Sequence, residues 1–261
     1  MKAILNISAY LFVPLTDTLA LRESIRSQAA GLSLKGTVLL AGEGINLFLA
    51  GAPDTLRSFV AWLQQDARFA RLAPKESWSE EAPFGKLLVK VKREIIRMDH
   101  PTIQPIAGRA PAVSPKTLAR WLDAGHDDEG LPVVTLDTRN AFEIGHGRFR
   151  GAIDWQIDKF SQFPAQALAH RDELRGKRVV SYCTGGIRCE KAAIFMAEAG
   201  IANVVQLDGG ILKYFEEVGG QHFDGDCFVF DEREALDPSL QPQDVRLQEL
   251  STSSTSDRNS R

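Results

Sequence analysis

Three cysteines in 261 residues cannot build a disulfide framework: the count is odd, and Cys183, Cys189 and Cys227 follow no paired spacing. Their scarcity favours a reducing compartment over secretion. Long hydrophobic runs are also missing. The apolar start, Ile4 to Val13, stands behind one lysine, lacks a small-residue cleavage site and is too short to span a bilayer. It reads as a first buried strand, and the expected address is the cytoplasm, with no membrane attachment. Charge of one sign is not in excess either, since 31 Lys and Arg stand against 34 Asp and Glu. Overall charge therefore does not establish nucleic-acid binding. No flavin fingerprint is present. His126-Asp127-Asp128 and His170-Arg171-Asp172 carry two-thirds of an iron triad, but in polar segments expected to be solvated. No metal site and no bound cofactor is evident, and no feature points to a protein partner.

What remains is ordinary globular material, 44% hydrophobic and 25% charged, long enough for two cores. Charge is unevenly spread: residues 1–97 carry 13 Lys and Arg against 9 Asp and Glu, and residues 98–230 carry 14 against 18. Lys86, Lys90, Lys92 and Arg93 crowd the end of the basic part. Lys90 and Lys92 share one face of a strand, which serves equally as a solvated face or an anion-binding surface.

Periodicity divides the chain. Residues 1–97 read as strand, helix, two strands, helix, strand, with Leu87 to Val91 as the last strand. This order suits a ferredoxin-like (acylphosphatase-like) α+β domain with two helices on one face of an antiparallel sheet. Prolines 101, 105, 111 and 115 punctuate a linker over 98–113. Residues 114–235 alternate strands with helices, from a Ser114-capped helix through strands near 133–136, 178–182 and 203–207. That pattern predicts an α/β domain with a mostly parallel sheet. The stretch 236–261 is expected to be a mostly disordered tail.

The most informative residues are Cys183-Thr184-Gly185-Gly186-Ile187-Arg188-Cys189-Glu190-Lys191-Ala192. They leave the apolar strand Arg178–Tyr182 and run into a helix closing at Gly200. A cysteine at a strand end, before a glycine loop and a helix start, meets several backbone N–H groups and a positive helix end. Arg188 adds a positive charge. All three favour thiolate, provided that solvent and substrate reach the sulfur. Cys189, in the first helical turn, is expected to pack, with a resolving thiol as the alternative. Cys227 reads as structural. Lys191, one turn past the loop, is a candidate phosphate contact on an exposed helix face. Asp137, Arg139 and Glu143 are supporting residues: an Asp-x-Arg after a strand ties loops together by charge-assisted hydrogen bonds.

Asp137-Thr138-Arg139-Asn140, Glu143 and Gly151-Ala152-Ile153 resemble a rhodanese signature, as do the Cys183–Arg188 loop and Asp208-Gly209-Gly210. The string from Cys183 to Ala192, with Gly42-Glu43-Gly44-Ile45-Asn46, Pro83-Phe84, Val89-Lys90-Val91-Lys92 and Cys227 to Asp231, is similar to the bacterial tRNA uridine hydroxylases. Those pair a ferredoxin-like domain with a rhodanese-like one, and the resemblance covers about residues 1–235. It implies oxygen-dependent conversion of the wobble uridine of tRNA to 5-hydroxyuridine, with molecular oxygen as co-substrate, the anticodon arm as partner and Cys183 as the essential cysteine.

Three chemistries suit such a loop. Phosphate-ester hydrolysis is disfavoured, because Thr184 to Ile187 is one residue shorter than the loop of cysteine phosphatases. A rhodanese-type sulfurtransferase would carry a persulfide on Cys183, with Arg188 steering its donor. A hydroxylase would add Cys183 to the uracil ring.

Overall fold

The computed structural model of the chain describes residues 4–107 and 110–242. Its first sheet contains Ile4–Phe12 (β1), Lys35–Ala41 (β2), Gly44–Gly51 (β3), Lys75–Ser79 (β4) and Leu87–Val91 (β5), in the order β4-β1-β3-β2-β5. Helices Thr18–Gly31 (α1) and Pro53–Gln64 (α2) cover one face. The strands alternate accordingly. Leu5, Ile7 and Ala9 of β1 pack with Ile45, Leu47 and Leu49 of β3 against Ile25, Leu56 and Phe59. Fully burying side chains of this size stabilises by about 1.5–3 kcal/mol each. The intervening Asn6, Ser8, Tyr10, Asn46 and Phe48 look the other way, toward a cavity.

This is the ferredoxin-like layer anticipated, with one correction. Leu87–Val91 is not the fourth strand but a fifth, parallel to β2 at the far edge. The fourth strand is Lys75–Ser79, antiparallel to β1. Its sequence, Lys-Glu-Ser-Trp-Ser, sits at a sheet edge, so no apolar run marks it.

The second domain is built from Ala112–Val113 (β6), Pro115–Ala124 (α3), Val133–Asp137 (β7), Ala141–Ile144 (α4), Gly147–Phe149 (β8), Phe163–Ala169 (α5), Arg178–Tyr182 (β9), Ile187–Glu198 (α6), Val204–Leu207 (β10) and Gly210–Val218 (α7). The sheet β6-β10-β9-β7 is parallel throughout. Both faces are covered, as parallel sheets require. Val179 packs with Phe163, Phe195 and Met196 on one side, and Val180 with Leu118, Ile211 and Phe215 on the other. Ser114 caps α3 through the Thr117 N–H, as its sequence predicts.

The flanks of the second domain are more closely packed than their composition suggests. The anticipated linker 98–113 is not a free spacer, because Met98 and Ile103 are buried in the second core and Ala112–Val113 joins the parallel sheet. Phe223–Gly225 (β11), Cys227–Phe228 (β12) and Ala235–Leu236 (β13) pair in small ribbons, and Leu240, inside the stretch expected to be tail, packs on the core. Residues 243–261 lie outside the described residues. Among the described residues, no helix is long and apolar enough to cross a membrane.

Candidate active site

Cys183 follows the carboxyl end of β9, and Asp137 ends β7 beside it, the edge where parallel sheets form sites. The loop is held from below by α7. Ile211 N–H donates to Cys183 C=O (3.0 Å) and Leu212 N–H to Thr184 C=O (3.1 Å). This stacking depends on Gly210, where a β-carbon would lie 2.4 Å from the Cys183 carbonyl oxygen. Gly186 turns the chain at φ 100° and donates its N–H to Cys183 Sγ at 3.1 Å. The helix then starts at Ile187, which places Arg188 and Cys189 in its first turn.

The sulfur sits among donors. Burial alone pushes the thiol up, but the Cys189 side chain, the Arg188 charge and the N–H groups of Arg188 and Gly186 together hold it well below the ordinary thiol range. Cys189 is raised for the opposite reasons, by burial and by the neighbouring Cys183, so of the two thiols it is the one that keeps its proton. Its role is thus more specific than the packing expected of it. Arg188 has a partner that its sequence position does not announce. Its guanidinium is clamped by both oxygens of Glu143 at 2.5 and 2.7 Å, so it is not a free counter-charge for the sulfur. Its Nε–H is buried and donates to no described residue. Asp137 and Arg139 form a second buried pair, and Arg139 also donates to Gly147 C=O. Cys227 is fully buried and its thiol is pushed up to about 12 by burial.

The first domain forms the opposite wall. Lys75 Nζ donates to Gly185 C=O at 3.0 Å, and Tyr10 OH donates to Glu190 at 2.9 Å. Lys191 does not face solvent as expected. It is 1% exposed, and its ammonium meets Glu43, Glu94 and the Ile96 carbonyl at 2.7–3.0 Å. A buried ammonium needs acceptors for all its protons, so this lysine fastens the domains together rather than meeting phosphate. Between the domains lies a cavity of 540 Å³, walled by Cys183, Arg188 and Phe230 on one side and Asn6, Asn46 and Phe48 on the other. Cys183 itself has 0% exposure, contrary to the open sulfur anticipated; it forms part of the cavity wall instead of the outer surface. Lys86, Lys90, Lys92 and Arg93 are all exposed. Lys90 lies opposite Leu39, a cavity-wall residue, and therefore on the same sheet face. Among the described residues neither His-Asp segment is part of a metal-ligand cluster: Asp127 closes a turn and pairs with Arg178, while His170 pairs with Glu173. Of the cavity-wall residues of the first domain, Asn46 and Phe84 stand in the motifs that carry the family resemblance, whereas Asn6, Ser8 and Phe48 carry no signal in the sequence.

Alkylation measures the state of the sulfur. A thiol with a lowered pKa ionises at lower pH, so iodoacetamide modification of Cys183 should persist well below the midpoint of free cysteine, about 8.5. Cys189→Ala removes one donor and should move that midpoint upward. A wild-type profile like that of free cysteine would contradict the site as described.

A cysteine with a lowered pKa at a strand–loop–helix junction, facing the sheet of a second α+β domain across a cavity, defines a two-domain cysteine-dependent protein rather than a lone α/β module. The family comparisons agree: residues 4–95 match the UPF0176 acylphosphatase like domain and residues 114–217 the rhodanese-like domain. A protein of Bordetella petrii called tRNA uridine(34) hydroxylase is 65% identical over 93% of this chain and 96% of its own length. One of the same name from Variovorax paradoxus is 65% identical over 92% and 91%. Among solved structures, a Saccharomyces cerevisiae homolog of single-domain rhodanese and the Cdc25 phosphatase catalytic domain is 18% identical, covering 49% of this chain and 93% of that one with a TM-score of 0.39. The chain belongs to the tRNA uridine(34) hydroxylase family.

Proposed function

We propose that this protein hydroxylates C5 of the wobble uridine of tRNA, in the cytoplasm, with Cys183 as nucleophile and molecular oxygen as co-substrate. The observation that carries this reading is the cavity over Cys183. At 540 Å³ it falls within the range of about 300–1,000 Å³ usual for small-molecule sites. It is far roomier than a thiosulfate-sized sulfur donor requires, and its far wall mixes carboxamides with aromatic rings, the chemistry of base recognition.

In this mechanism the Cys183 thiolate adds to C6 of the uracil, and the C5–C6 electron pair moves toward the C4 carbonyl oxygen. Arg188 Nε–H is the donor we assign to that oxygen, where charge develops. The enriched C5 then takes one oxygen atom, while the other leaves as water with two electrons and two protons from an external donor. Loss of the C5 proton and departure of the sulfur restore the ring. An unpaired wobble base lowers the cost of entering the cavity.

The exposed Lys86, Lys90, Lys92 and Arg93, of which Lys90 shares the sheet face that lines the cavity, are assigned to the backbone of the anticodon arm. Replacing the three lysines by alanine should weaken tRNA binding and flatten its log–log salt dependence by about 0.9 for each phosphate that is no longer neutralised. Unchanged affinity and slope would remove this role. The function itself is tested by mass spectrometry of tRNA nucleosides from a strain lacking the gene. Loss of 5-hydroxyuridine, restored by the wild-type protein, is the expected result. Unchanged nucleosides, with cyanide-dependent thiocyanate formation by pure protein, would favour sulfurtransferase activity instead.

A further inference from the structure

We propose that Asn6 reads the N3–H of the target base and thereby selects uridine, an inference that rests on the hydroxylase reading above. Asn6 lies in the middle of β1, between Ala50 of β3 and Ser77 of β4, 2% exposed and in the cavity wall. Its amide orientation follows from its neighbours. Asn6 Nδ2 donates to Ser79 Oγ at 2.9 Å, and Ser79 Oγ in turn donates to the Glu81 carbonyl at 2.6 Å. With its one proton committed, the serine oxygen can only accept, so the amide NH₂ must face it. The amide oxygen is left pointing elsewhere. Asn6 Oδ1 is buried and accepts no hydrogen bond from any described residue. Orphaned acceptors of this kind are rare and costly, and one in a cavity wall fits a donor brought by the ligand.

Its placement suits uracil. Ser8, the next residue on that face of β1, pairs with Lys75, which grips Gly185 of the cysteine loop. A β-carbon on Gly185 would lie 3.9 Å from Ser8 Oγ. Asn6 is thus one side-chain row, about 7 Å along the strand, from the row that touches the loop. In uracil, N3 lies directly across the ring from C6, so a base with C6 at the sulfur turns N3–H away from it, toward this wall. Cytosine offers a lone pair at N3 instead, which Asn6 Oδ1 would repel.

The test measures binding of the full chain to anticodon stem-loop RNAs carrying uridine, 3-methyluridine or cytidine at the wobble position. Wild-type protein should bind the uridine form at least about tenfold more tightly than either of the others, the usual effect of one unmet buried hydrogen bond. Asn6→Ala should bind all three alike. Ser79→Ala, which frees the amide to flip, should narrow the preference without abolishing it, and this arm stands even if Asn6→Ala does not fold. Equal wild-type binding of the three RNAs, or a preference that survives in Asn6→Ala, overturns the assignment while leaving the hydroxylase reading intact. Failure of wild-type protein to bind any stem-loop overturns the hydroxylase reading, and the assignment with it.

Discussion

Cells lacking the gene and supplied with the Cys183→Ser protein should contain no detectable 5-hydroxyuridine in their tRNA, a loss on the order of 10⁴-fold or more for removal of an essential nucleophile. Serine is nearly the same size, so the loop contacts made by Gly186, Ile211 and Leu212 should persist and the fold should hold. What disappears is the ionised nucleophile. Four influences lower the thiol pKa here, but no comparable shift brings a hydroxyl to ionisation at neutral pH. Nucleoside mass spectrometry gives the answer directly, and a thermal unfolding scan beside it shows whether the protein is intact. Normal 5-hydroxyuridine in the serine variant would end the mechanism.

The second large effect is on stability. Glu143→Ala should destabilise the rhodanese-like domain by about 3–5 kcal/mol, because it strands a buried guanidinium. Arg188 and Glu143 are both essentially without solvent contact, and the carboxylate also accepts the Asn140 N–H that opens α4. Replacing both partners, Glu143→Gln with Arg188→Met, should recover much of the loss, since no unpaired charge remains. Activity should not return, because the Nε–H donor at the cavity wall is gone as well. Denaturant unfolding followed by tryptophan fluorescence measures the first effect. A Glu143→Ala loss under about 1 kcal/mol would show the pair to be dispensable.

Periodicity and punctuation made most of the architecture legible. Alternating Leu5, Ile7 and Ala9, the helical spacing of Leu56, Phe59 and Leu63, and Ser114 before Pro115 each state a local preference that the fold keeps. Where the reading failed, the deciding contacts were remote. Lys75–Ser79 has no apolar run to announce it, because it closes a sheet edge where its side chains are only partly covered. Lys191 looks like any helical surface lysine until Glu43 and Glu94, from the other domain, are brought to it. Met98 and Ile103 sit among prolines that suggest a spacer, yet the second core covers them.

The chain by itself determined that a cysteine stands between a strand end and a helix start, with glycines to bend the loop and an arginine just beyond. Those are relations over a few residues, governed by backbone sterics and local hydrogen bonding. Only the tertiary structure decided that Arg188 answers to Glu143, that Lys191 answers to Glu43 and Glu94, and that Asn6 closes the cavity across from Cys183. These pairings span 45 residues in the first case and cross the domain boundary in the last, so they exist only once burial has brought separate elements together. Burial is also what gives them force, since away from water each charge and each orphaned acceptor must find its partner in the protein or in the substrate.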